Sequence, residues 1–228
     1  MKKKEKNSKN EFFSIWLLLA GFGAITALVL IMCISSASKI PDNVGRVLTE
    51  EETETVIGRN SELAEYVYLS PNADFPREGT IKKITIHHMA GDLELEEVGK
   101  RFSDRDRRTS ANYAIDSSGR VALYVEEANR AWTSSSKEND SQAVTIEVAN
   151  DEIGGQWHVS EASYGKLIEL CTDICRRNGI EELYYTGDES GNLTLHKMFA
   201  DTECPGPYLE SRIEEIVQTV NQKLRQEE

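Results

Sequence analysis

Three apolar runs of strand length in this chain lead into side chains that cores rarely accept. They are Ile84-Thr85-Ile86-His87-His88, Val144-Thr145-Ile146-Glu147-Val148, and Leu195-His196, the last followed by Thr202-Glu203-Cys204-Pro205-Gly206-Pro207. Ionisable groups are seldom placed in such runs without a partner or a task, so the fold must account for them together. Two histidines and one cysteine amount to three zinc ligands. The fourth tetrahedral position then stays free for water, as in a catalytic zinc centre, whereas a structural zinc is usually closed by four protein groups.

Period-two geometry limits which groups can meet. Ile84, Ile86 and His88 share one strand face, while Thr85, His87 and Met89 share the other. Alternation alone does not choose between His87 and His88 as a ligand. His196 and Cys204 are too far apart for one helical turn. They suit a strand end and a loop folding back, with Pro205-Gly206-Pro207 stiffening the return. Glu147 reads either as a solvent-facing strand residue or as a general base that takes and returns a proton of metal-bound water.

Elsewhere strands and helices alternate. Strands are predicted over 83–89 and 143–149, a hairpin from Asn112–Asp116 and Val121–Val125 about Ser117-Ser118-Gly119, and a short strand at Leu183-Tyr184-Tyr185. Helices are predicted from Glu94 to Phe102, from an N-cap at Ser160 to Asn178-Gly179, and onward from Pro207, the last burying Leu209, Ile213, Ile216, Val217 and Val220. The implied fold class is α/β, a mixed central β-sheet flanked by helices. A catalytic domain is expected over 63–228. Residues 38–62, polar and acidic with Glu50-Glu51-Glu52, read as an extracytoplasmic tether.

Phe12 to Ser38 carries no charged side chain. As a helix, Phe12 to Ile34 spans about 34 Å at ~1.5 Å per residue, enough for a bilayer interior of about 30 Å. Lys2, Lys3, Lys4, Lys6 and Lys9 precede it, which puts 1–11 in the cytoplasm and the domain outside. Ser35-Ser36-Ala37 suits a cleavage site. The apolar run nevertheless exceeds the roughly 7–15 residues of a signal-peptide core, so 12–37 reads as an uncleaved transmembrane signal anchor. The expectation is a single-pass cell-membrane protein with an extracytoplasmic domain, secreted if the segment is cut. Net charge is −13, and the first 11 residues hold five lysines against two acids, so the exported part is more acidic still. Nucleic acid, which needs basic patches, is excluded as a partner.

Cys171 and Cys175 share one face of a predicted helix, where a regular helix rarely bridges such a pair, so they read as core packing. Cys204 is left without an obvious disulfide partner, which favours metal binding. It precedes Pro-Gly-Pro and does not sit at a helix N-terminus that would activate it, which disfavours a cysteine peptidase.

Taken in order, these motifs resemble a known family. They are I-x-I-H-H-x-A-G from Ile84, S-A-N-Y-x-I-D-x-x-G-R from Ser110 to Arg120, Arg130-Ala131-Trp132, Asn139-Asp140, T-I-E-V from Thr145, Leu195-His196, and T-x-C-P-G from Thr202. The family is the zinc-dependent N-acetylmuramoyl-L-alanine amidases, relatives of phage amidase lysozymes and peptidoglycan recognition proteins. The likeness covers about 69–220. It implies hydrolysis of the amide between N-acetylmuramic acid and L-alanine in peptidoglycan. It also implies Zn2+ held by His87, His196 and Cys204, Glu147 as catalytic base, and Asn112, Trp132, Thr202 and His88 near the substrate. The catalytic domain is expected to be monomeric.

Two departures from the family pattern stand out. Relatives often carry Lys where this chain has Thr202, two residues before the third ligand; a hydroxyl offers no positive charge, so more oxyanion stabilisation falls to zinc. Relatives often follow Ala-Trp with His, where this chain has Thr133, which alters the substrate contacts. The competing reading is a non-catalytic peptidoglycan-recognition module of the same fold. Its usual origin is loss of the third ligand, and Cys204 argues against it.

Overall fold

The computed structural model describes residues 39–226, so the predicted cytoplasmic segment 1–11 and anchor 12–37 lie outside it. Among the described residues no helix is long and apolar enough to cross a membrane. The elements, in chain order, are α1 (Glu50–Gly58), β1 (Ala64–Val67), β2 (Ala73–Asp74), β3 (Lys83–His88), α2 (Leu95–Ser103), β4 (Tyr113–Ile115), β5 (Val121–Leu123), β6 (Arg130–Ala131), α3 (Lys137–Asp140), β7 (Ala143–Val148), α4 (Glu161–Asn178), β8 (Leu193–Leu195), α5 (Pro207–Ser211) and α6 (Ile213–Arg225). Six strands form one sheet in the order β1-β5-β4-β7-β3-β8. β4 and β5 form the predicted antiparallel hairpin, and the other neighbouring pairs run parallel. β2 and β6 pair separately as a short antiparallel ribbon.

Alternation sorts the central strands into an apolar and a polar face. Ile84, Ile86, Val144, Ile146, Leu193 and Leu195 are fully buried in one core with Leu167, Leu170 and Ile174 of α4 and Ile213, Ile216 and Val220 of α6. Tyr113 and Ile115 join that core, whereas Ala114 between them packs with Leu95, Val98 and Phe102 of α2 on the opposite side. The sheet is therefore covered by α4 and α6 on one face. On the other, α2 covers the β4–β5 region, and the polar side chains of β3, β7 and β8 occupy the remainder.

α4 begins and ends as its sequence dictates. The Ser160 hydroxyl accepts the Ser163 N–H, and Gly179 stops the helix with a left-handed φ of 65°. Cys171 and Cys175 are free and buried, as core packing requires.

Three expectations are corrected. The second half of the 38–62 tether is folded: Thr49 and Glu52 form a capping box for α1, and Val56 is 1% exposed within the main core. Leu183-Tyr184-Tyr185 forms no strand, because side-chain amides take the place of a ladder: Asn221 bonds both the N–H and the C=O of Leu183, and Asn192 accepts the Tyr184 N–H. The C-terminal helix is broken at Arg212 into α5 and α6, and Val217 is only partly buried.

Candidate metal centre and active site

Register places the chemistry. On β3 and β7, His87 lies opposite Glu147 and Thr85 opposite Thr145; on β8, Thr194 lies opposite Thr85. Two residues beyond Thr194, His196 opens a single 3-10 turn, His196–Met198. The same parity thus carries His87, Glu147 and His196 to the C-terminal ends of three parallel strands on the polar face. Cys204 is brought there by its loop. Its C=O accepts the Lys197 N–H at 3.0 Å, its N–H donates to Thr202 Oγ1 at 3.2 Å, and its Sγ accepts the His88 backbone N–H at 3.3 Å.

The ligand atoms of His87, His196 and Cys204 all lie within 4.8 Å of one another. The two imidazole centroids are 4.6 Å apart. Both Nε2 atoms are buried with no hydrogen-bond partner in the protein. Buried polar atoms are nearly always satisfied, so two orphaned imidazole nitrogens converging beside a thiol fit a metal. A set of two nitrogens and one sulfur suits zinc and leaves one tetrahedral position free.

The electrostatics of the two imidazoles agrees with that use. Burial, then the neighbouring His196 and His88, hold His87 well below the ordinary imidazole range. Burial also lowers His196, opposed by the charge of Asp140. Neutral imidazole is the form that binds metal. Burial and the Glu147 carboxylate push the Cys204 thiol up, while the His88 N–H works the other way. Glu147 stands beside the three ligands, its Oε2 buried and unpartnered, and burial pushes its carboxyl up to about 8.

The family model for N-acetylmuramoyl-L-alanine amidase matches residues 77–207, more than half of the chain. This chain belongs to that family. In fold it is similar to the PlyG catalytic domain, at 18% identity and a TM-score of 0.54 over 69% of this chain and 93% of that one. A selenomethionine derivative of AmpD gives 16% and 0.53 over 78% and 99%, and a mutant endolysin from Bacillus subtilis gives 15% and 0.51 over 68% and 97%. Identities this low establish the fold alone. No curated protein matches the chain.

The remaining residues named from sequence fall differently in this amidase. His88 packs its ring edge-to-face on Trp157 at 5.0 Å, and its backbone N–H donates to Cys204 Sγ. Thr202 spends a hydroxyl lone pair on the Cys204 N–H, and its own O–H remains free to donate. Trp132, with its Nε1–H on Asp74 at 3.0 Å, lines a cleft of about 650 Å³ together with Arg107, Arg108 and Asp140. Asn112 does not belong with these. It is fully buried, its amide donating to Val125 O and accepting from Thr145 N, so it braces β7.

Sequence reasoning missed the floor under the ligands. Thr85 and Thr194 share a hydroxyl contact of 2.9 Å, and Asn139 Nδ2 donates to Thr85 Oγ1 at 2.9 Å. Asp140 accepts from Thr133 N, Ser134 N and Ser134 Oγ. Each threonine stands two residues before a ligand, a spacing visible in the strands themselves.

Proposed function

We propose that this amidase cleaves the amide between N-acetylmuramic acid and L-alanine of peptidoglycan as a zinc enzyme, with His87, His196 and Cys204 as ligands and Glu147 as the base. The observation that carries this is the convergence of the three ligand atoms within 4.8 Å, with both histidine Nε2 atoms otherwise unpartnered. When bound, zinc supplies Lewis-acid polarisation of water and of the scissile carbonyl.

The protein's own groups do the rest. Glu147 takes the proton of the attacking water and returns it to the departing alanine amine; its burial favours holding that proton between the two transfers. The Thr202 hydroxyl lies two residues from Cys204 and offers a neutral donor where a lysine stands in many relatives. In this reading the stem peptide lies in the cleft lined by Trp132 and Asp140. A pure recognition module is disfavoured, because the third ligand is present and placed with the other two. In the same reading, 12–37 anchors a monomeric domain outside the membrane.

The test is digestion of purified cell walls. An amidase releases new alanine amino groups without new reducing sugars. Binding without either product favours the recognition module, and new reducing sugars would mark a glycosidase.

A further inference from the structure

We infer that Trp157 is a positioning residue for the sulfur ligand: it braces the His88 ring and the turn at Gly206 so that the His88 backbone N–H stays on Cys204 Sγ. The inference rests on the zinc reading above and concerns a residue outside the ligand set and the base.

Trp157 occupies a conformation that a bulky residue adopts only when its surroundings impose it. Its φ is +54°, in the left-handed region. The surroundings do impose it. Its N–H donates to Gly154 O at 2.8 Å, and its C=O accepts Asn150 Nδ2 at 2.8 Å. Asn150 lies two residues beyond the end of β7. One side chain therefore ties the Trp157 backbone to the segment that follows β7.

Trp157 meets His88 through its ring and the cysteine loop through its Cβ. It meets His88 with an interplanar angle of 83°. On the other side, a Cβ added to Gly206 would stand 2.9 Å from Trp157 Cβ and 3.3 Å from His88 Nδ1. Glycine at 206 is thus required by contact as well as by its φ of +87°. Three segments meet there with no room to spare: β3 at His88, the 151–158 loop at Trp157, and the Cys204–Gly206 turn. Within this junction the His88 N–H donates to Cys204 Sγ at 3.3 Å. Donors to a ligating sulfur fix its orientation and favour the thiolate, and partners of this kind are worth about 10–100-fold in metal affinity.

Ordinary packing does not account for the arrangement. Trp157 is only half-buried and belongs to none of the apolar core clusters. Its ring stands against His88 and its Cβ against the Gly206 turn, and it contributes little to the core.

The experiment compares the wild-type chain with Trp157→Phe and Trp157→Leu. Zinc affinity is read by chelator competition, the sulfur-to-metal band of the cobalt-substituted proteins by absorption, and Cys204 reactivity in the metal-free proteins by alkylation. Trp157→Leu is expected to bind zinc about tenfold more weakly, to shift the cobalt band and to alkylate faster at Cys204. Trp157→Phe, which keeps an edge-to-face ring, is expected to stay close to wild type. Parent-like affinity and spectrum in Trp157→Leu, or equal loss in both variants, overturn the inference while the zinc reading stands. A wild type that binds no zinc overturns both. If Trp157→Leu does not fold, Asn150→Ala, which releases the Trp157 carbonyl, takes its place; a parent-like cobalt spectrum there also overturns the inference.

Discussion

His87 and Glu147 face one another in register on adjacent parallel strands, so a metal ligand and the proposed base are held by one backbone ladder. Neither position depends on a flexible loop. Cys204 is delivered by a loop, and that loop is fastened by three hydrogen bonds at the cysteine itself, one each at its N–H, C=O and Sγ. Rigid placement of this kind is what water activation and proton transfer require.

Glu147→Gln keeps the shape of the base and removes its proton acceptor. Wall digestion is expected to fall by about 10²–10⁴-fold, with zinc content unchanged. Release of amino groups and metal analysis of the same samples check this. A parent-like rate refutes the base assignment.

Thr85→Val tests the floor beneath the ligands. The hydroxyl accepts from Asn139 and shares a contact with Thr194, and valine leaves both buried groups without that partner. A loss of about 1–3 kcal/mol is expected, read as a lower urea midpoint. Unchanged stability would mean that the network is not holding the strands.

Removing α1 tests whether 39–62 is part of the fold. A chain starting at 63 loses Val56 from the core, the Asn60 Oδ1 acceptor of Glu127 N and the Ser61 N–H donor to Tyr113 OH. Val56→Ala alone is expected to cost about 1–3 kcal/mol, and Thr49→Ala about 1 kcal/mol. Thermal midpoints of chains starting at 39 and at 63 make the comparison. Equal midpoints would restore the tether reading.

Much of this architecture was legible in the sequence, because strand parity and helix caps are local. The Ser160 to Gly179 helix, the hairpin about Gly119 and the apolar stripes of β3 and β7 follow from period and turn chemistry. The choice between His87 and His88 was not fixed by alternation. It turns on which face of β3 meets α4, and Ile84 and Ile86 fill that face. The capping box at Thr49 and Glu52 was present in the sequence, but the acidic run around it resembled an unstructured tether.

Other features depend on contacts far apart in the chain. Asn112 falls in a family motif, and only the β4–β7 pairing shows it buried against Thr145. Leu183-Tyr184-Tyr185 has strand composition, but Asn221, 38 residues away, satisfies the backbone that a strand would have used. Trp157 carried no sequence signal as part of the site, since its role comes from meeting His88 and Gly206 across the fold.

The most direct measurement is the zinc content of the purified chain and of Cys204→Ala, taken together with wall digestion before and after chelation. The expected result is about one zinc per chain in the wild type, loss of metal and activity in Cys204→Ala, and activity that disappears with chelator and returns with zinc. A wild type that digests walls without zinc, or a Cys204→Ala variant that retains both metal and activity, would contradict the assignment of His87, His196 and Cys204 to a shared ion.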